Sequence, residues 1–243
     1  MERALELSQA LAQSRTRITG PSLQEISIGL RSSPVPVSMF TRFTELRVLE
    51  LQAYYTEFTS SSIHGNMLGN LHTLRIVQPN ESLLNAFSMM GLESLQNLSL
   101  PYSTTHSPAV VKFLKAHGSH VLHGKFGHNV HLIDLCKNRI DIEFDDDLGP
   151  AQFTCETPHE SLTKMTAPGL KDPTTINLDT FDMFPALREI YLLHFTWPTT
   201  EREISKSKAV PFAESLLEKN IKLIDKSGKH WVPRVKSVRQ RKR

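Results

Sequence analysis

The apolar positions of the chain repeat one short figure, apolar-x-x-apolar-x-apolar. It occurs as Leu23-Gln-Glu-Ile26-Ser-Ile28, Leu46-Arg-Val-Leu49-Glu-Leu51, Leu71-His-Thr-Leu74-Arg-Ile76, Leu95-Gln-Asn-Leu98-Ser-Leu100 and Leu187-Arg-Glu-Ile190-Tyr-Leu192. The first four copies start roughly 23, 25 and 24 residues apart, inside the 20–29 residue period of leucine-rich repeats. Alternation at the end of each copy predicts a strand with one buried face. Weaker copies stand at Val121-Leu-His-Gly124-Lys-Phe126, Arg139-Ile-Asp-Ile142-Glu-Phe144 and Leu162-Thr-Lys-Met165-Thr-Ala167. In the second of these Arg139 takes an expected apolar place. About eight strands result.

Helix signals fall between the motifs. Asn80 can start a helix whose apolar face is Leu83, Leu84, Phe87 and Met90, and Gly91 stops it. Pro108 opens another, with Val110, Val111, Phe113 and Leu114 inside and Gly118 at its end. Leu132, Ile133, Leu135 and Cys136 suit a short helix, and Ile176 to Phe184 suits a further one. Residues 3–13 favour a helix, which Thr16 to Pro21 breaks. Pro34 and Pro36 make Ser32 to Val37 a loop. Lys208 to Lys219 reads as an amphipathic helix with Phe212, Leu216 and Leu217 inside. Ile221 to Asp225 and Lys229 to Val232 then flank a short hairpin loop with Gly228 in its left-handed position.

The expected fold is α/β. It is a leucine-rich-repeat-like solenoid of about eight irregular repeats, with parallel strands on the concave face and helices or loops outside. Four segments follow: an N-terminal helix or cap (1–20), the solenoid (21–200), a C-terminal cap of helix plus hairpin (201–233) and a basic tail (234–243). One departure stands out. The commonest repeat has Asn or Cys three residues beyond the last strand leucine, where this chain has Tyr54, Pro79, Ser103, Asp147 and Phe195. Without an Asn ladder the turns must satisfy their backbone differently, and irregular curvature is expected.

Composition adds little until charge is divided along the chain. The 243 residues are 39% hydrophobic with a net charge of +3. From Arg202 onward, 13 Lys/Arg stand against 4 Asp/Glu, a local +9, which leaves residues 1–201 at −6. Like-charge runs at a terminus are interaction tails or solvated ends. Arg239, Arg241, Lys242 and Arg243 are the candidates for a nuclear-localisation signal or a nucleic-acid contact, without the interleaved aromatics that stack bases. Two cysteines, no signal-peptide pattern and no stretch approaching 18 apolar residues point to an intracellular protein, cytoplasmic or nuclear, off the membrane.

Several stretches together resemble the leucine-rich-repeat portion of fungal F-box proteins. They are Phe113-Leu-Lys-Ala-His-Gly118, Leu132-Ile-Asp-Leu-Cys136, Phe184-Pro-Ala-Leu-Arg-Glu-Ile-Tyr-Leu-Leu and the closing Ile221-Lys-Leu-Ile-Asp with Trp231. The resemblance covers about residues 20–232. It implies a substrate-recognition role in a ubiquitin ligase. The F-box itself, which docks on the cullin–RING adaptor, is not found: residues 1–20 offer one helix-like stretch and no Leu-Pro opening. That adaptor is a partner only if an F-box lies upstream.

Two clusters raise chemistry. His117, His120, His123, His128 and His131 lie close together, followed by Cys136. Their spacing fits neither a zinc finger nor a His-Glu-x-x-His pair, and the repeat phase spreads them over a helix end, a strand and a loop. Asp141, Glu143, Asp145, Asp146 and Asp147 lack the glycine and closing glutamate of a calcium loop, so a solvated rim patch is expected. No Gly-x-Ser-x-Gly, phosphate loop or dinucleotide fingerprint is present. The expectation is therefore a non-catalytic protein-interaction module with no cofactor and no metal. Its protein partner meets the concave face through Glu50, Arg75, Ser99, Lys125, Glu143, Tyr191 and Arg188. Nucleic-acid binding or nuclear targeting through the tail is the alternative, and a metal-dependent enzyme using His117 to His131 ranks last.

Overall fold

The computed structural model describes residues 23–31, 34–54, 57–59, 65, 67–101, 107–126, 134–144, 155, 157–167 and 172–233. Nine strands form one parallel sheet: β1 (Glu25–Arg31), β2 (Val48–Tyr54), β3 (Thr73–Val77), β4 (Asn97–Leu100), β5 (His123–Phe126), β6 (Asp141–Phe144), β7 (Lys164–Thr166), β8 (Glu189–Tyr191) and β9 (Lys222–Ile224). They lie in chain order, so each strand pairs with the one before it and the one after it. The fold is thus α/β with few helices.

The register aligns equivalent motif positions across the whole sheet. Ile26, Leu49, Leu74, Leu98, Gly124, Ile142, Met165, Ile190 and Leu223 form one row. Every side chain in it is buried, with Gly124 contributing none. The opening position of each motif is buried as well: Leu23, Leu46, Leu71, Leu95, Val121, Arg139, Leu162 and Leu187. Arg139 is thus a charged residue in a leucine site.

Backbone bonding repeats with the motif. The carbonyls of Gln24, Arg47, His72, Gln96, Leu122, Ile140 and Thr163 each accept two successive N–H groups from the next strand's start. A tight turn precedes most strands. Leu46, Leu71, Leu95, Val121, Arg139 and Leu187 each donate their N–H to the carbonyl three residues back. At Leu162 the N–H goes instead to Nδ1 of His159, 3.2 Å away. These bonds satisfy the strand starts in place of any side-chain ladder.

Helices α1 (Glu81–Phe87) and α2 (Pro108–His117) pack against each other and turn their apolar faces into the same core as the strands. Asn80 caps α1, its side-chain oxygen accepting the Leu83 N–H at 2.8 Å. Gly118 follows α2 with ordinary right-handed angles. A Cβ there would collide with the Leu135 carbonyl, so close packing, not conformation, demands glycine.

Three expectations need correction. The helix expected from Ile176 to Phe184 is shorter and of the 3-10 type, Leu178–Met183. Asn177 caps the Asp179 N–H and Pro185 disfavours helix at Phe184, leaving too few residues for α turns. The loop expected at Ser32 to Val37 holds a two-residue strand, Val35–Pro36, paired in parallel with Phe58–Thr59 in a separate small sheet, and a 3-10 helix, Val37–Arg42, follows directly, since Pro36 only precedes it. The first arm of the expected hairpin is a ninth strand: Lys222–Ile224 pairs in parallel with β8. The hairpin survives as a single antiparallel bridge, Ile224 to His230, around Gly228 at φ 79°.

The sheet ends in a short polar and aromatic cluster. Helices α3 (Glu201–Lys206) and α4 (Ala209–Glu218) precede β9. Asn220, at φ 60°, closes α4, with the Ile221 N–H returning to the Leu216 carbonyl. Trp197 lies between Phe195 and Trp231, with ring centroids 4.8 and 5.4 Å away. The buried Asp225 carboxylate accepts bonds from Ser227 Oγ and from the N–H groups of Ser227, Lys229 and Trp197. Burial alone would raise its pKa, but those donors outweigh it and hold it below the usual carboxylate value.

Candidate functional site

Alternation fixes which side chains leave the core. Between the last two apolar positions of each motif one residue leaves the core, and the register joins these into a row, Ser27, Glu50, Arg75, Ser99, Lys125, Glu143, Thr166 and Tyr191, in which Thr166 alone is buried; β9 continues the row with Ile224, also buried. A second outward row runs beside it: Glu25, Val48, Thr73, Asn97, His123, Asp141, Lys164, Glu189 and Lys222. Six of the seven residues expected on the binding face, Glu50, Arg75, Ser99, Lys125, Glu143 and Tyr191, therefore share one line. Arg188 stands apart at the start of β8. Its Nη1 donates to the carbonyls of Pro185 and Leu187, so its head folds onto its own turn.

Charges on this face are paired across strands. Lys125 Nζ meets Glu143 Oε1 at 2.6 Å and Lys164 Nζ meets Asp141 Oδ2 at 3.3 Å. Arg75 and Glu50 touch at 3.9 Å, leaving the Arg75 side chain 54% exposed. Tyr191 donates its hydroxyl to Glu189 Oε2 at 3.1 Å, and Lys164 Nζ lies 4.7 Å from its ring centroid. Partial burial and the neighbouring Glu189 raise the phenol's pKa. Exposed pairs like these add little stability; they set a pattern of donors and acceptors. Over β4 the outward residues are small, and a depression of about 190 Å³ opens there, lined by Thr73, Asn97, Ser99, His123, Lys125 and Glu143 among others.

The histidines do not converge. His117 is buried, its Nε2 donating to the Phe87 carbonyl at 3.0 Å and its ring 5.0 Å from that of Phe113. Burial lowers its pKa despite that bond. His120 is exposed after α2, whereas His123 lies on the outward row. His128 and His131 fall outside the described residues. Among the described residues no group of three or more His, Cys, Asp or Glu is placed to hold a metal ion. Cys136 is fully buried and its thiol pKa is raised by burial. Asp141 and Glu143 each face a lysine, while Asp145, Asp146, Asp147 and the tail with Arg239, Arg241, Lys242 and Arg243 lie outside the described residues.

Two internal polar residues stand out, and the motif reading marks only Arg139. His159 is buried, donating from Nε2 to the Cys136 carbonyl at 3.0 Å while Nδ1 accepts from Leu162. Those two bonds fix one tautomer. The available signal was its position three before Leu162, where Phe43, Leu68, Leu92, Cys136 and Phe184 stand in other copies. Arg139 is the second. Its guanidinium carbon lies 4.3 Å from the Phe126 ring centroid.

No family model matches the chain, and a search of curated proteins finds no match. Among the described residues no helix is long and apolar enough to cross a membrane.

Proposed function

We propose that this chain is a non-catalytic protein-interaction module of the leucine-rich-repeat type, a solenoid whose outward strand face is concave and receives a protein partner. The observation that carries this reading is the row from Ser27 to Tyr191, held in register over eight consecutive strands and open to solvent at every member but Thr166. Such a face offers Arg and Tyr as anchors among small hydrogen-bonding residues, the make-up of a protein interface. Because its charges are mostly paired, recognition rests on hydrogen bonds and shape more than on net charge. The resemblance to F-box repeat proteins makes the substrate of a ubiquitin ligase the first partner class to try.

The test places a photo-crosslinking amino acid at Ser99 and, as a control, at Lys115 on the exposed side of α2, then compares captured proteins. Binding of any partner captured only from Ser99 is remeasured with Arg75→Ala, Tyr191→Ala and a chain ending at 233. Each face variant is expected to weaken binding by about 1–3 kcal/mol, a usual hot-spot loss, with little change in Tm. Loss of binding on removing 234–243, with both face variants intact, transfers the function to the tail.

A further inference from the structure

Arg139 has no exposed surface, and none of Nε, Nη1 and Nη2 meets a hydrogen-bond acceptor among the described residues. Arginine stays charged in proteins. A buried charged donor without a partner is strongly unfavourable, whereas a leucine here, as at Leu95 and Leu162, carries no such cost. The cost is not an accident of one position. The place beneath the guanidinium is cleared by Gly124, the single residue of its core row without a side chain; a Cβ there would lie 2.8 Å from Cζ and Nη2 of Arg139. Phe126 covers one face of the group and contributes cation–π attraction. That attraction acts on the face and leaves the in-plane N–H fork unused. The surrounding charges do not fill the fork either. Asp141 faces outward to Lys164, and Cys136 carries a thiol whose burial disfavours the thiolate.

We propose that Arg139, seated between Gly124 and Phe126, is the binding group of an internal site for one small monovalent anion. An anion in the plane of the guanidinium accepts two N–H groups at once, the geometry arginine offers to carboxylates. The site is independent of the outward face, and it couples the fold's stability to the anion present. Chloride and formate are the two probes, representing halide and carboxylate.

The experiment measures Tm and 35Cl line broadening for the full chain, exchanged into a buffer without small monovalent anions and titrated with each probe. The parent is expected to gain about 2–4 °C with saturation, the shift that one kcal/mol of linked binding gives a chain of this size. Arg139→Met removes the donors and is expected to lose both the saturable shift and the excess broadening. Gly124→Ala, which displaces the guanidinium, is expected to weaken both. A shift with formate alone assigns the site to carboxylates, and with chloride alone to halides. Equal anion responses in the parent and Arg139→Met overturn the proposal. Should Arg139→Met not fold, a parent titration with neither saturation nor excess broadening overturns it as well.

Discussion

Strands β2 to β4 and strands β5 and β6 meet the same packing requirement with different residues. In the first group the core rows are filled by Leu46, Leu49, Leu71, Leu74, Leu95 and Leu98, all buried. In the second group one strand supplies Gly124 and the next supplies Arg139, whose head occupies the space the glycine leaves. The space is shared differently and the chemistry changes. A core position is thus specified jointly with its neighbour across the strand pair, and a residue that breaks the apolar pattern is to be read together with the gap beside it.

The largest expected effect lies in the regular region. Leu98→Asp places an unpaired carboxylate in the core, and a loss of roughly 3–5 kcal/mol is expected from a urea midpoint. Ser99→Asp, one residue along on the outward row, is expected to leave the midpoint nearly unchanged. Equal effects of the two would break the assignment of faces. The next effect sharpens the contrast itself. Gly124→Ala is expected to cost about 1–3 kcal/mol through overpacking against Arg139 and Phe126, whereas Gly29→Ala on β1, with nothing near its Cβ position, is expected to cost nothing measurable. Combining Gly124→Ala with Arg139→Leu should recover most of the loss, a coupling of about 0.5–3 kcal/mol in a double-mutant cycle. Additivity would mean that the two residues do not share one space.

The smallest effect concerns pH. The His117 imidazole titrates below its ordinary 6.5 in the fold because it is buried. Between that value and the lowered one, the unfolded chain binds a proton that the folded chain refuses, so stability is lost as pH falls below about 6.5. The slope from one such group is at most about 1.4 kcal/mol per pH unit. His117→Gln is expected to flatten the stability profile in this window by comparison with the parent; an unchanged profile would place the titration elsewhere.

Much of this architecture was legible because the motif carries both a period and a phase. Eight strands, and the row from Ser27 to Tyr191, follow from the spacing of the strong and weak copies of the motif. The ninth strand was hidden because Asn220 occupies its opening apolar position, and the turn residues around Gly228 drew Ile221 to Asp225 into a hairpin instead. The pairings on the outward face, Lys125 with Glu143 and Lys164 with Asp141, were not legible, since they depend on which strands become neighbours through weak copies of the motif. His159 was missed for a different reason: a ring nitrogen does there what a backbone carbonyl does in other copies, and the pattern of apolar residues contains no sign of that exchange.

The order of the strands has a consequence for how the chain comes into being. During synthesis each strand from β2 onward emerges after the strand it must join, and that strand is only some twenty residues back in most cases. Nothing in the sheet waits for a segment made much later, as a sheet with interleaved order would. The growing end always offers an open row of backbone groups, ready for the next arrival. Assembly can therefore advance from the N-terminal side at the pace of translation, with short loop closures at each step. A chain paused once Leu100 has cleared the ribosome is expected to hold β1 to β4 already joined.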